Sequence, residues 1–148
     1  MQDPRSKLLV GGCQCGAVRY RAEGQPRKVH YCHCRMCQRA VGNVFAAFVP
    51  IRKDQLTWEG TPSLFRSSSI AERGFCSRCG TPLSFAYDKS GWICLALGSL
   101  DEPTAVRPEA HYGIESQVPW LHFADDLPRE RTNESEVSGM INCQHSPA

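Results

Sequence analysis

Seven of the nine cysteines in this 148-residue chain fall into three tight groups, Cys13-Gln14-Cys15, Cys32-His33-Cys34-Arg35-Met36-Cys37 and Cys76-Ser77-Arg78-Cys79. Thiols spaced this way serve either disulfides or a metal. Disulfides require an oxidising compartment and hence an export signal. The N-terminus runs through Met-Gln-Asp-Pro-Arg-Ser-Lys into only three apolar residues, Leu8 to Val10, far short of the apolar stretch of a signal peptide. The longest apolar run, Val44 to Ile51, is eight residues with a proline inside, too short to cross a membrane as a helix. The expectation is a cytoplasmic chain with reduced thiols and no membrane partner. Close pairs in an odd total favour metal over a disulfide framework.

A chain of this length makes one domain with a core of its own. A formal charge of +2 is too mild to imply nucleic acid. The charge is unevenly spread, however. Arg19, Arg21, Arg27, Lys28, Arg35 and Arg39 face Glu23 alone between positions 19 and 39, whereas positions 100–136 carry nine acids against Arg107, Arg129 and Arg131. The plain reading is solvated faces of opposite sign; the sharper one is a basic segment that attracts an anionic ligand.

Short strand signals recur between turns. Val18 and Tyr20 alternate with Arg19 and Arg21, and Val44 to Val49 is apolar and β-prone, with Pro50 expected to end it. Leu56 to Trp58, Leu64 to Ser68, Leu83 to Tyr87 and Trp92 to Leu97 continue the pattern, punctuated by Gly60-Thr61-Pro62 and Asp88-Lys89-Ser90-Gly91. The expected class is mainly β, with at most a helical turn after Cys37. The expected organisation is a polar tail over 1–7, a zinc-binding domain over 8–128, and a disordered tail over 129–148, where aromatics are absent.

In an extended segment residues i and i+2 share a face, so a C-x-C pair aims two sulfurs at one point. Tetrahedral zinc, with bonds of ~2.3 Å, needs its sulfurs within about 4 Å of one another. One C-x-C plus one C-x-x-C gives four thiolates and a closed site. The remaining trio has three thiolates, and a zinc with three protein ligands keeps a position for water or substrate. The competing readings are a second structural zinc completed by a histidine, Cys94 or an aspartate, and a redox dithiol of Cys32 and Cys34. Spacing does not fix which ligands go together.

The segments Gly11-Gly12-Cys13-Gln14-Cys15-Gly16-Ala17-Val18-Arg19-Tyr20, Cys32 to Arg39, Phe75-Cys76-Ser77-Arg78-Cys79-Gly80-Thr81-Pro82-Leu83 and Pro119-Trp120 resemble the glutathione-dependent formaldehyde-activating enzyme family, whose domain is shared with centromere protein V. The spacers agree: Gly42 after Cys37, Gly60 before a turn, Ser67 to Ser69 before the last group, and Asp126-Leu127-Pro128 at the close. The resemblance spans roughly Leu8 to Pro128. It implies small β-sheets around a structural zinc, related to the Mss4-like fold. It implies Cys13, Cys15, Cys76 and Cys79 as structural zinc ligands and Cys32, Cys34 and Cys37 as ligands of a second, catalytic zinc, about two ions per chain. The activity it implies is condensation of formaldehyde with glutathione to S-hydroxymethylglutathione, a carbon–sulfur lyase reaction.

A zinc with three thiolates is a weak Lewis acid, poor at activating water and suited to holding a further thiolate. A free thiol, with a pKa near 8.5, is deprotonated outright on coordination. A small thiol such as glutathione is therefore the expected substrate, and Arg35 and Arg39 are candidates to engage its carboxylates. The alternative class is a non-catalytic, zinc-stabilised binding module; a thiol redox or metal-buffering protein is a third. His33, between two ligands on an extended segment, is expected to point away from the metal. His111-Tyr112 and Pro119-Trp120 are read as a late strand and turn that pack in the core. Cys94 is read as a buried apolar residue, and Cys143 as a stray thiol. Nothing in the sequence distinguishes His122 from a surface histidine.

Overall fold

The computed structural model describes residues 7–145; the expected N-terminal tail, apart from Lys7, and the last three residues of the C-terminal one lie outside them. The architecture is mainly β. Strands β1 (Leu8–Gly12), β2 (Arg19–Glu23) and β5 (Leu56–Glu59) form a three-stranded antiparallel sheet in the order β1-β2-β5. The rest join an eight-stranded sheet: β3 (His30–Cys32), β4 (Ala46–Arg52), β6 (Ser63–Ser68), β7 (Ala71–Phe75), β8 (Pro82–Tyr87), β9 (Trp92–Ala96), β10 (Ala110–Tyr112) and β11 (Arg129–Glu130). Its order is β11-β10-β3-β4-β9-β8-β7-β6. One α-helix, α1 (Arg35–Val41), lies between β3 and β4. No helix among the described residues is long and apolar enough to cross a membrane.

Alternation explains the sheets. In β2, Tyr20 and Ala22 are buried while Arg21 and Glu23 face out. Tyr20, Val49, Ile51, Leu83 and Leu95 are almost fully buried and belong to one core between the sheets. The Tyr20 hydroxyl is satisfied by Ser99 Oγ at 2.7 Å, and burial pushes its pKa up to about 12.

Pro50 does not end its strand: β4 continues to Arg52, and Pro50 pairs with Cys94 of β9. The Pro50 carbonyl accepts from Arg27 N at 3.1 Å, on the side away from β9. Nitrogen and carbonyl of one residue face the same side in an antiparallel ladder, so the N–H that proline lacks is not one the β9 ladder uses. The helix likewise starts before Cys37 rather than after it.

From Arg129 to His145 the chain carries few apolar side chains yet makes main-chain bonds. β11 pairs in parallel with β10. Farther on, Ser69 N donates to the Ile141 carbonyl at 2.8 Å and Cys143 N to the Ser67 carbonyl at 3.2 Å, laying 141–143 along β6. Backbone pairing is independent of side-chain character, so composition gives no sign of it. Cys143 and His145 are exposed on this segment.

Candidate metal centres

The turn after β1 and the turn between β7 and β8 meet. Cys13 and Cys15 come from the first, Cys76 and Cys79 from the second, and their four sulfurs lie within 4.8 Å of one another. Cys13 Sγ is 3.6 Å from Cys15 Sγ, and Cys15 Sγ is 3.8 Å from Cys76 Sγ. Four sulfurs tetrahedrally placed at ~2.3 Å from a zinc would stand about 3.8 Å apart, so the donor set fits that ion in number, chemistry and spacing. The backbone does the placing. Gly16 and Gly80, each just after the second cysteine of its pair, have φ of 80° and 79°, the left-handed region that closes the turn. The β7–β8 register shifts between Gly74 and Phe75, the pairing closes with Phe75 opposite Pro82, and Cys76 N then donates to the Thr81 carbonyl at 3.0 Å. Donors surround the sulfurs: Val18 N reaches Cys13 Sγ at 3.3 Å, and Thr81 Oγ1 is 3.2 Å from Cys79 Sγ. The contact with Thr81 holds the Cys79 thiol down at about 5.

The second group is local. Cys32 ends β3, Cys34 is the N-cap of α1, and Cys37 is in its first turn. Their sulfurs also lie within 4.8 Å of one another, with no fourth histidine, cysteine or carboxylate completing the set among the described residues. The Cys34 sulfur accepts from Cys37 N at 3.3 Å, doing the work of a capping oxygen. This trio fits a metal with an open position. Cys94 packs beside it without joining it, and burial pushes the Cys94 thiol up to about 12.

The cation at this trio is neither Arg35 nor Arg39. Arg35 is turned onto the Gln38 side chain, and Arg39 donates to the His145 carbonyl at 2.8 Å. Arg73 of β7 donates to Cys37 Sγ at 3.4 Å and to Ser67 Oγ at 3.0 Å. Its guanidinium lies 4.7 Å from the centre of the Phe85 ring, a cation–π contact. The neighbouring Cys32 and Cys34 thiols, then Arg73, hold Cys37 well below the ordinary thiol range. Arg73 also lines a cavity of about 230 Å³ with Ala40, Val41, Phe48 and Phe65. Only the β7 register exposes its role, because Arg73 is cross-strand to Phe65 and Phe85 while 36 residues separate it from Cys37.

His33 points away from the sulfurs, as its position predicts, and is wholly buried with His111. Trp120 is 68% exposed and takes no part in the core. His122 is also exposed.

The family model described as glutathione-dependent formaldehyde-activating enzyme matches residues 8–116. A Halomonas elongata protein named a putative glutathione-dependent formaldehyde-activating enzyme is 35% identical over 129 residues, covering 78% of this chain and 81% of its own. A Schizosaccharomyces pombe protein named an uncharacterized lyase is 38% identical over 77 residues, 52% of this chain and 56% of its own, so the match spans little more than half of that relative. A crystal structure of a Rhodobacter sphaeroides protein superposes with a TM-score of 0.51 at 22% identity, covering 67% of this chain and 91% of that one. That likeness concerns the fold alone.

Proposed function

The chain belongs to the glutathione-dependent formaldehyde-activating enzyme family, and from that premise we propose that it is a zinc-dependent carbon–sulfur lyase acting on a small thiol adduct. The first adduct to consider is S-hydroxymethylglutathione, formed from glutathione and formaldehyde. The observation that carries the reading is the contrast in donor number, four sulfurs in one group and three in the other. In this reading Cys13, Cys15, Cys76 and Cys79 hold a structural ion, and Cys32, Cys34 and Cys37 hold the ion at which chemistry occurs. Zinc bound by the trio would supply a soft Lewis acid that favours the thiolate form of a substrate thiol.

The rest falls to side chains. Three thiolates concentrate negative charge, and the Arg73 guanidinium at Cys37 offsets part of it. Arginine has five N–H donors, of which Ser67 and Cys37 engage two, leaving donors for a substrate carboxylate. Phe48 and Phe65 line the same cavity as Arg73 and would give the aliphatic part of an adduct an apolar surface. Arg35 is turned onto the Gln38 side chain and Arg39 onto the His145 carbonyl, whereas Arg73 reaches a sulfur of the trio, so in this reading Arg73 takes the part in anion recognition that local sequence gave to them.

The test mixes zinc-loaded protein with glutathione and formaldehyde and follows adduct exchange by two-dimensional exchange NMR. Exchange faster than in buffer, and lost in Cys34→Ser, supports the reading. Unchanged exchange with glutathione and with other small thiols overturns it and favours a zinc-stabilised binding module.

A further inference from the structure

Three buried or half-buried polar side chains form a line behind the trio. His33 Nε2 is 2.9 Å from His111 Nδ1, and His111 Nε2 is 3.1 and 3.2 Å from the two oxygens of Asp125. Both rings are 0% exposed and lie edge to edge, their centres 5.1 Å apart and their planes inclined by 23°. Phe123 stands edge-on to both, at 5.6 and 4.7 Å. None of the three is close to another in sequence: 78 residues separate the histidines and a further 14 lead to Asp125.

One proton position follows from the carboxylate. An ionised Asp125 only accepts, so His111 Nε2 carries the hydrogen. The other His111 nitrogen, Nδ1, shares its hydrogen bond with His33 Nε2. His33 Nδ1 is the one buried side-chain nitrogen or oxygen without a partner among the described residues. Buried polar groups are rarely left unpaired. The chain tolerates the cost at a residue that every other bond holds still. His33 N donates to the Tyr112 carbonyl at 2.8 Å, and the His33 carbonyl accepts from Gln38 Nε2 at 2.7 Å. Residue 33 is thus fixed at its nitrogen, its carbonyl and its ring, and its two neighbours are Cys32 and Cys34.

We infer that the Asp125–His111–His33 hydrogen-bonded chain is a positioning device for the trio, holding the two sulfurs that flank His33 in metal-binding geometry before metal arrives. Asp125 is the outer anchor, His111 the relay of orientation and His33 the part that touches the ligand backbone. The closed group is held differently: glycine turns set its backbone, and the short side chain of Thr81 accepts from Gln14 N at 3.0 Å in place of a buried chain of rings. The inference rests on the trio being a metal site, not on any reaction at it.

Cobalt(II) titration of the full chain tests this. The spectrum of Cys34→Ser, which retains the closed group alone, is subtracted to leave the signal of the trio. Asp125→Ala leaves the His111 N–H unpaired, whereas Asp125→Asn keeps an acceptor oxygen there. His111→Phe keeps an aromatic ring against Tyr31 and Phe123 and removes both nitrogens. Asp125→Ala and His111→Phe should weaken cobalt binding at the trio on the order of tenfold, the lower end of what outer partners contribute at metal sites, and shift its d–d bands. Asp125→Asn should restore both readouts, and the closed group should bind as before. Equal affinity and an unchanged spectrum in folded Asp125→Ala and His111→Phe would overturn the inference. So would equal weakening at both groups, which is the mark of a general loss of stability. No trio signal in the unmodified protein would remove the metal site itself, and the function proposed above with it.

Discussion

The two cysteine groups use the same atoms in different settings. Cys13, Cys15, Cys76 and Cys79 are drawn from two distant turns and sit on the main core, where Cys13, Cys76 and Cys79 pack with Tyr20, Val49 and Leu83. Cys32, Cys34 and Cys37 come from six consecutive positions and rest on a smaller cluster with Ala46 and Phe48. The first group is complete in sulfur and ringed by neutral donors, Val18 N and Thr81 Oγ1. The second is one sulfur short and touches a cation, Arg73, whose side chain also lines a cavity. On the proposed reading, the closed site is built from four donors and stiff turns, and the open one from three donors with outside support.

That comparison breaks most readily on stability. Cys79→Ser should unfold the protein or leave it poorly ordered, because structural zinc contributes on the order of 10 kcal/mol to small domains. Cys34→Ser should remain folded with one ion. Thermal melts followed by circular dichroism decide it, and equal damage in the two variants would erase the distinction between the groups.

Metal removal gives the next largest difference. Native mass spectrometry should count about two zinc ions per chain, and graded chelator should remove them in order, the three-sulfur ion first. Simultaneous loss would mean that the trio is as closed as the quartet.

Arg73→Ala sharpens the contrast in charge. With cobalt at the trio, added glutathione should strengthen the sulfur-to-metal charge-transfer bands, and the variant should need about ten- to hundredfold more thiol. That corresponds to the loss of a charged hydrogen bond, about 1.5–3 kcal/mol. Arg39→Ala, already bonded to the His145 carbonyl, should behave like the parent.

The smallest effect is conformational. Gly80→Ala places a side chain at φ 79°, a cost of roughly 1–2 kcal/mol. The melting temperature should fall by a few degrees while the cobalt signature of the trio stays put.

Which parts of this were legible in the sequence follows from distance along the chain. The sulfurs are clustered and carry their turn glycines, so Cys13, Cys15, Cys32, Cys34, Cys37, Cys76 and Cys79 stood out at once and the structure brings them into two groups. Strands such as β2 and β8 were readable from alternation. Arg73 was not, because its position depends on the pairing of β7 with β6 and β8, and the nearer Arg35 and Arg39 drew attention while helix geometry sends them elsewhere. His111 is legible as a buried residue of a late strand, as β10 bears out, but its partners are not: a parallel pairing of β10 with β3 puts His111 opposite Tyr31, and no local pattern announces its bonds to His33 and Asp125. Pro50 reads as a strand end because local sequence does not show which side of β4 carries the β9 ladder.

The span between Cys15 and Cys76, 61 residues, has a further consequence for how the chain reaches its folded state. A metal joining them closes a long loop, and a cross-link of that length removes about 4 kcal/mol of chain entropy from the unfolded ensemble by loop-closure arithmetic. The quartet therefore acts as a topological staple whose benefit is realised only once the β7–β8 turn has found the end of β1. Cys32, Cys34 and Cys37 close no such loop. They lie within reach of one another in an unfolded chain, so that group can meet an ion at any stage, during synthesis or afterwards. On the proposed reading, spacing sets an order of assembly: a metal at the quartet would mark that folding is finished, and one at the trio could arrive before or after it.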